Sequence, residues 1–321
     1  MTDLTPQQNK FLDAATEIRL DRASSKEAAF LARQFIQATL PHRNPKTDTW
    51  SRTNGNFTLG LRAGFRHRTG ESYGLPYGVI PRLLLFWITT EALRTKQRRL
   101  ELGSSLAQFM REVGLSPDTG GGKRGDAKRL QEQMRRLFQA DISFEQDVQE
   151  QGAHAQAWLN MKIAPSGIVW WDVKTPEQGT LWNSWIELGE TFFNAITSSP
   201  IPVDTRALKA LKRSPLALDL YALCCYESYR VQKSGKTRFI PWRSLMMQLG
   251  ADYEGEHAAR DFAVKCRKAL RKVEQVMSTL HLGNESGGIM ILPESTAAIP
   301  HQNKVNHRTV KRSTPHQTTD L

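Results

Sequence analysis

Apolar residues recur at helical spacing through much of the chain, and two passages repeat one order of elements. In the first passage, residues 74–138, the pattern predicts a helix, a short strand, a second helix, a Gly-rich turn and a basic helix. An unbroken apolar run at residues 83–88 indicates that the first of these helices is buried on most sides. This order is typical of the first part of a winged helix-turn-helix.

The basic helix of the first passage combines one apolar face with several cations. Helical spacing predicts that it covers about residues 126–140. Its predicted buried face consists of Leu130, Met134, Leu137 and Phe138. Two segments of alternating polarity follow, at residues 142–145 and 155–161, and we interpret them as the two strands of the wing.

A second passage restarts the same order after residue 203. Ser214 and Pro215 predict the start of a helix, because proline is favoured at the first helical position. A short strand at residues 239–242, a helix that ends at Gly250 and a long helix over about residues 256–277 come next. Residues 279–282 and 288–292 then predict a second hairpin.

The remaining segments complete the predicted organisation. Residues 7–40 have helical periodicity, residues 43–56 are rich in turn formers, and residues 198–203 contain closely spaced prolines typical of a linker. The predicted fold class is α+β, with two tandem winged helix-turn-helix domains, a helical N-terminal extension and a disordered C-terminal tail. The predicted boundaries are extension and loop 1–70, first domain 71–198, second domain 203–293 and tail 294–321.

The charge of the chain favours a polyanionic partner. It has 44 Lys and Arg against 32 Asp and Glu, a formal net charge of +12. The candidate DNA-binding cations lie on or just before the two basic helices: Lys123, Arg124, Lys128, Arg129, Arg135, Arg136, Arg260, Lys265, Arg267, Lys268, Arg271 and Lys272. Charge on one helix usually marks only a solvated face. Because the arrangement occurs twice, each time before a hairpin, it favours double-stranded DNA.

The Gly-rich turn before the first basic helix is open to two interpretations. It is not a nucleotide-binding P-loop, because Pro117 occupies the position of the first required glycine and Arg124 follows Lys123. The simpler interpretation is a flexible turn. The alternative is that its backbone amides, with Lys123 and Arg124, contact DNA phosphates.

Other function classes lack sequence support. The three cysteines form no CxxC pair and no Cys/His set has zinc spacing, so we expect no metal and no cofactor. No apolar stretch is long enough for a membrane span, and the N-terminus has no signal pattern, so we expect a cytoplasmic protein. Tyr221, Tyr226 and Tyr229 share a predicted helix, where packing is a better explanation than nucleophilic catalysis. We therefore expect no enzymatic activity.

Several blocks resemble the plasmid-encoded RepA replication initiators of Gram-negative bacteria. The distinctive blocks are residues 74–82, 87–92, 106–115, 121–123 and 133–138, and looser similarity covers residues 240–243 and 262–273. The resemblance implies a tandem winged-helix initiator that binds direct repeats (iterons) at a plasmid origin, opens the adjacent DNA and recruits the host initiator and replicative helicase. It also implies possible homodimers that repress their own gene at a promoter inverted repeat. It implies no cofactor and supplies no catalytic residues.

Two alternatives to an initiator follow from the same sequence. A winged-helix transcriptional repressor without a role in replication would have the same fold and charge. A nicking enzyme is disfavoured, because no motif of two histidines flanking an apolar residue occurs; Gly283 stands where the second histidine would be needed after His281. Direct repeats in the target DNA would indicate an initiator, whereas a lone inverted repeat would indicate a repressor.

Overall fold

The computed structural model describes residues 4–21, 23–117, 125–150, 153–169, 184–250, 253 and 255–299. Along these residues the α-helices are α1 (Pro6–Leu20), α2 (Gln34–Gln37), α3 (Val79–Thr95), α4 (Leu106–Glu112), α5 (Asp126–Gln139), α6 (Glu190–Ser198), α7 (Thr205–Leu211), α8 (Pro215–Ser234), α9 (Trp242–Leu249) and α10 (Ala258–Val276). The strands are β1 (Ala28–Ala32), β2 (Thr49–Asn54), β3 (Phe57–Arg62), β4 (Arg99–Glu101), β5 (Asp141–Glu150), β6 (Ala153–Lys162), β7 (Ser166–Ile168), β8 (Trp185–Glu187), β9 (Pro200–Asp204), β10 (Arg238–Pro241) and β11 (Gly288–Ile291). The predicted mixture of helices and strands is confirmed.

Helix α3 is the central element of the first half of the chain. Every residue from Ile80 to Thr89 is buried, as the apolar run predicted. The residue that follows the helix, Lys96, caps its C-terminal end in a left-handed conformation with φ 57°. Ser105 caps the start of helix α4, where its side chain accepts a hydrogen bond from the Gln108 amide. Gly114 follows the end of this helix with φ 83°. Glycine suits that position because it has no Cβ to clash.

The N-terminal region differs from its prediction. Residues 7–40 were expected to be helical, but α1 ends at Leu20 and residues 28–32 form β1. Strand β1 pairs antiparallel with β9, which places Phe30 opposite Pro202. The predicted linker at residues 198–203 is therefore largely a strand. Proline is tolerated there because a two-stranded sheet leaves one side of β9 without a ladder partner.

The two strands predicted as the wing of the first half, β5 and β6, do not belong to the sheet that contains β4. Strands β5 and β6 extend the order β2-β3-β5-β6, in which β5 pairs with β3. Strand β2 falls within residues 43–56, which were predicted to be a loop. A second sheet has the order β4-β8-β7, so the strand between α3 and α4 pairs with the later hairpin. The sequence predicted the strands of β5 and β6 but not their partner, because that partner lies about 80 residues earlier.

The second half follows its predicted order except in the hairpin, where residues 279–282 form no strand and contribute only an isolated bridge at Leu282. Strand β10 pairs antiparallel with β11, and Leu282 forms an isolated bridge to Ile291 on the other side of β11. Helices α9 and α10 lie between these strands in the chain. The long helix α10 buries the face predicted for it, including fully buried Phe262 and Val273.

The start of the predicted disordered tail is packed against the second half. The Ser295 hydroxyl accepts a hydrogen bond from the His281 amide at 2.9 Å and donates one to the His281 carbonyl at 3.1 Å. Ala297 and Ile299 are buried. The prediction of disorder is therefore wrong for residues 294–299, and residues 300–321 lie outside the described residues.

One hydrophobic core runs through the molecule. It includes Ile88 and Phe109 from the first half, Phe262 and Ile291 from the second, and Ala15 from α1 in a single cluster of contacting buried residues. The surface elements are consequently held by a shared interior.

Candidate nucleic-acid interface

Helix α5 presents part of its predicted cationic face to solvent. Its core positions Leu130, Met134, Leu137 and Phe138 are all buried, as predicted. Lys128, Arg129 and Arg135 are exposed on the opposite side. Arg129 is engaged locally, because its guanidinium forms an ion pair with Asp126 at 3.1 Å. Lys123 and Arg124, predicted just before this helix, lie outside the described residues.

Arg136 does not belong to the open face of α5. Its side chain is only 14% exposed, donates to the Leu75 carbonyl at 3.1 Å and forms an ion pair with Glu132 at 2.6 Å. Its guanidinium also lies over the Tyr77 ring, with 5.2 Å between the two groups. Since these contacts tie α5 to the segment before α3, we correct the prediction and describe Arg136 as a structural contact.

Helix α10 exposes every cation that the sequence predicted for it. Arg260, Lys265, Arg267, Lys268, Arg271 and Lys272 are all exposed, whereas the intervening apolar positions other than Val264 are buried. None of these six forms an ion pair with a carboxylate within the part of the chain that the structure describes. Among the described residues, the side chains of four of them form no hydrogen bond and no contact with an aromatic ring: Arg260, Lys268, Arg271 and Lys272. The outer face of α10 therefore carries positive charge that the folded protein leaves unneutralised.

Aromatic rings position two of the α10 cations. The Arg267 guanidinium lies over the Trp242 ring at 4.9 Å and donates to the Ser286 carbonyl at 2.9 Å. The Trp242 indole donates to the same carbonyl at 2.7 Å. On the other side of α10, the Lys265 ammonium lies 4.8 Å above the Tyr253 ring. These contacts join the hairpin turn before β11 to the basic helix.

A buried charged cluster connects the two halves of the chain beneath this surface. Arg82 on α3 forms a two-point ion pair with Asp219 on α8, with both N–O distances at 2.8 Å. Arg82 also donates to the carbonyls of Leu40, Pro41 and Gly78. The His42 ring shares a 2.8 Å hydrogen bond with Asp219. Arg82 thus donates to acceptors in the loop before β2, at the start of α3 and in α8.

The pKa values of this cluster follow from its surroundings. Burial alone would raise the pKa of Asp219, but the charge of Arg82 and the hydrogen bonds from His42 and Arg82 outweigh burial and hold it at about 2. Burial lowers the pKa of His42, and the charge of Arg82 adds to that effect against the opposing hydrogen bond to Asp219. At neutral pH the cluster therefore consists of an ionised Asp219, a charged Arg82 and a neutral His42.

Three residues of this surface were not predicted from the sequence. Trp242 and Tyr253 carry aromatic faces under cations, and Arg43 lies beside the same helix in a predicted loop. Aromatic residues close to a basic helix were a usable signal. The position of Arg43 was not, because it depends on His42 and Asp219, which are far apart in the chain.

Neither a membrane-spanning helix nor a group of possible metal ligands is found in the described residues. No helix among them is long and apolar enough to cross a membrane. They also contain no group of three or more His, Cys, Asp and Glu side chains that could hold a metal ion. Tyr221 is fully buried and its hydroxyl accepts a hydrogen bond from the Asp204 amide at 2.9 Å, which fits the packing role inferred for it.

Comparisons with known proteins give one family and a likeness to solved structures. The family described as plasmid-encoded RepA protein matches residues 75–243, more than half of the chain. The comparison with curated proteins finds no match. A crystal structure of selenomethionine derivatives of RctB domains 2 and 3 has TM-score 0.46 and 12% identity, over 78% of this chain and 94% of that one. A second structure of RctB domains 2–3 has TM-score 0.45 and 14% identity, over 80% and 94%.

Proposed function

We propose that this chain, which belongs to the family of plasmid-encoded RepA proteins, initiates plasmid replication by binding double-stranded DNA at the plasmid origin. In this proposal it recognises direct repeats, opens the adjacent duplex and brings in the host initiator and the replicative helicase. It acts in the bacterial cytoplasm, requires no cofactor and catalyses no covalent step.

The observation that carries the DNA-binding proposal is the outer face of α10. Its cations are exposed and have no carboxylate partner among the described residues, so a phosphate backbone would replace only water and counterions. A helix with one buried face and one cationic face also has the diameter that the DNA major groove accepts. Helix α5 adds a smaller exposed set, Lys128 and Arg135.

The repeated element order supports tandem winged helices as the DNA-binding fold. In the first half, β4 precedes α4 and α5 and pairs with β8, the second strand of the hairpin β7–β8. In the second half, β10 precedes α9 and α10 and pairs with β11, which Leu282 flanks on its other side. Both halves thus place the last strand between the two earlier ones. The first half differs by the insertion of β5 and β6.

Self-association is the remaining part of the proposal. Strand β6 is an edge of its sheet, and its Trp158 side chain is 68% exposed. Lys162 is the one Lys, Arg, Asp or Glu residue in this strand, so the edge lacks the charges that usually prevent pairing between sheets. A second copy could pair with it, and such a homodimer would bind a promoter inverted repeat to repress the gene of this protein.

DNase footprinting on the plasmid segment that flanks the gene tests the proposal, with the oligomeric state measured by sedimentation velocity in the same buffer. We expect protection of several direct repeats spaced by whole helical turns. Protection of one inverted repeat alone would contradict an initiator and support the transcriptional repressor instead. Absence of protection at any repeat, with the protein folded by circular dichroism, would contradict sequence-specific binding altogether.

A further inference from the structure

The six cations of α10 fall on two separate stripes according to their chemistry. Helical spacing aligns Arg260, Arg267 and Arg271 on one side of the exposed face, and Lys265, Lys268 and Lys272 on the other. Val264 lies between Arg260 and Arg267 in the arginine stripe and is 58% exposed. The exposed face of the helix is therefore divided into an arginine stripe and a lysine stripe, and the exposed carboxylate of Asp261 lies at the start of the lysine stripe, one turn before Lys265.

The lysine stripe forms one wall of a groove with a volume of about 460 Å³. Lys265, Lys268 and Lys272 line it together with Arg43, which comes from the segment before β2, and with the first residues of α8. Neither Asp nor Glu is among the described residues that line it. Because His42 lines it as a neutral ring, the charge that these described residues bring to the groove comes from Lys265, Lys268, Lys272 and Arg43.

The backbone beside Arg43 is anchored to the protein interior. His42 binds Asp219 at 2.8 Å, and the Pro41 carbonyl accepts hydrogen bonds from Arg82 at 3.1 Å and from the Gly78 amide at 3.0 Å. Arg43 itself is exposed. The fold therefore fixes the backbone of Arg43 beside the lysine stripe, and the groove exists before a ligand arrives.

The two stripes suit different parts of a DNA duplex. A lysine ammonium is a compact point charge without the planar fork that recognises a base edge, and a cleft lined by one sign of charge concentrates the opposite sign. An arginine can donate two parallel hydrogen bonds to a guanine edge, and an exposed valine can contact a thymine methyl group. We propose, on the basis of the function proposed above, that the groove formed by Arg43 and the lysine stripe binds the DNA sugar-phosphate backbone, while Arg260, Val264 and Arg271 face the bases.

Binding measurements on two duplexes separate these roles. Fluorescence anisotropy gives the Kd of the full chain for a duplex with the origin repeat and for a scrambled duplex of equal length, at several salt concentrations. For Arg43→Gln and for Lys268→Gln we expect weaker binding to both duplexes by the same factor. The slope of log Kd against log salt should fall by about 1 for each lost phosphate contact.

The arginine stripe should give the opposite result. Arg260→Gln and Arg271→Gln should reduce the preference for the origin repeat about tenfold or more, as expected for a lost two-point base contact. Arg62→Gln is the matched control, because Arg62 is an exposed cation at the end of β3 and belongs to neither stripe. It should change neither quantity. Arg43→Lys should keep the salt slope of the original chain, because a point charge is sufficient for phosphate.

The results that would overturn the inference differ from those that would overturn the proposed function. If the original chain prefers the origin repeat but Arg43→Gln leaves the salt slope unchanged, the groove assignment is wrong and the proposed function stands. If lysine variants lose sequence preference, the division of roles is wrong. If the original chain binds both duplexes equally while Arg43→Gln lowers the slope, the groove is supported and sequence-specific origin binding is contradicted.

Discussion

Arg136 shows how the burial of a single cation decides its role. In the sequence it resembles its neighbour Arg135, yet Arg135 is exposed and Arg136 is held by Glu132, Leu75 and Tyr77. Helical periodicity can assign a residue to a face, but it cannot show that a carbonyl from a distant segment lies beside that face. The charged positions of α10 were predictable because they stay exposed among the described residues, whereas Arg136 was not.

Arg136→Ala should therefore destabilise the protein more than Arg135→Ala. The first change leaves the Leu75 carbonyl without its donor and removes a charged hydrogen bond, which costs about 2 kcal/mol of unfolding free energy. The second removes an exposed side chain and should change the unfolding free energy by less than about 0.5 kcal/mol. Urea unfolding followed by tryptophan fluorescence measures both. Equal effects of the two substitutions would show that the contacts of Arg136 do not contribute.

Local periodicity predicted the helices α3, α5, α8 and α10 well. Each has a long apolar stripe, a recognisable start or a recognisable end, so the information lies within the element itself. The segments of β10 and β11 were also predicted as strands, but their pairing with each other was not, because the sequence indicated a hairpin between residues 279–282 and 288–292. The order of elements in the second half was nevertheless predicted almost completely.

Strands whose partners lie far away were predicted poorly. The segment of β1 has helical periodicity, and only its pairing with β9 makes it extended. Distance also obscured the partner of β5. Strand β2 was missed for a different reason, because its residues are mostly polar, although its partner β3 follows after only two residues. Arg43 of the proposed groove was missed because its place is set by contacts of His42 and Pro41 with side chains from α3 and α8.

The segment after β11 allows a test of the packed part of the tail. A chain that ends after Leu292 loses buried Ala297 and Ile299 and the hydrogen bonds of Ser295. Burial of an isoleucine side chain contributes about 2 kcal/mol, so the melting temperature should fall by about 5 °C. A chain that ends after Ile299 is the matched control and should melt with the full chain. Identical melting of both truncated chains would contradict the packing of residues 293–299.

At the scale of the whole molecule, the two predicted halves are joined by a shared core and by the Arg82–Asp219 ion pair. This ion pair is buried, with the two side chains 4% and 8% exposed. Because it links α3 to α8, it fixes the two halves relative to each other from inside the molecule. The cationic faces of α5 and α10 are consequently held in one arrangement by a contact that lies away from the surface.

The acid sensitivity of the fold should reveal this ion pair. The pKa of Asp219 is about 2 in the folded chain, and an unfolded aspartate titrates near 4. The folded state thus favours the ionised form, so its stabilisation of about 2 to 3 kcal/mol is complete above pH 4 and is lost as the pH falls through 2. Asp219→Asn should be less stable than the original chain at pH 7, and the difference should shrink towards pH 2.

Unfolding free energies measured in urea between pH 7 and pH 2 test this prediction. Asp13→Asn serves as the control, because Asp13 lies on the exposed side of α1 and should show no pH-dependent difference from the original chain. A stability difference for Asp219→Asn that stays constant over this range would show that the ionised carboxylate is not the source of the stabilisation.

The pairing of β1 with β9 also has a consequence for how the chain is made. About 170 residues separate the paired positions, and at ordinary rates of translation the ribosome needs on the order of 10 s to synthesise them. During that interval β1 has no partner strand, and Leu31 and Ala29 have nothing from β9 to cover them. Helix α3, which packs against β1, is synthesised long before β9, so β1 can be held by α3 before its strand pairing is completed.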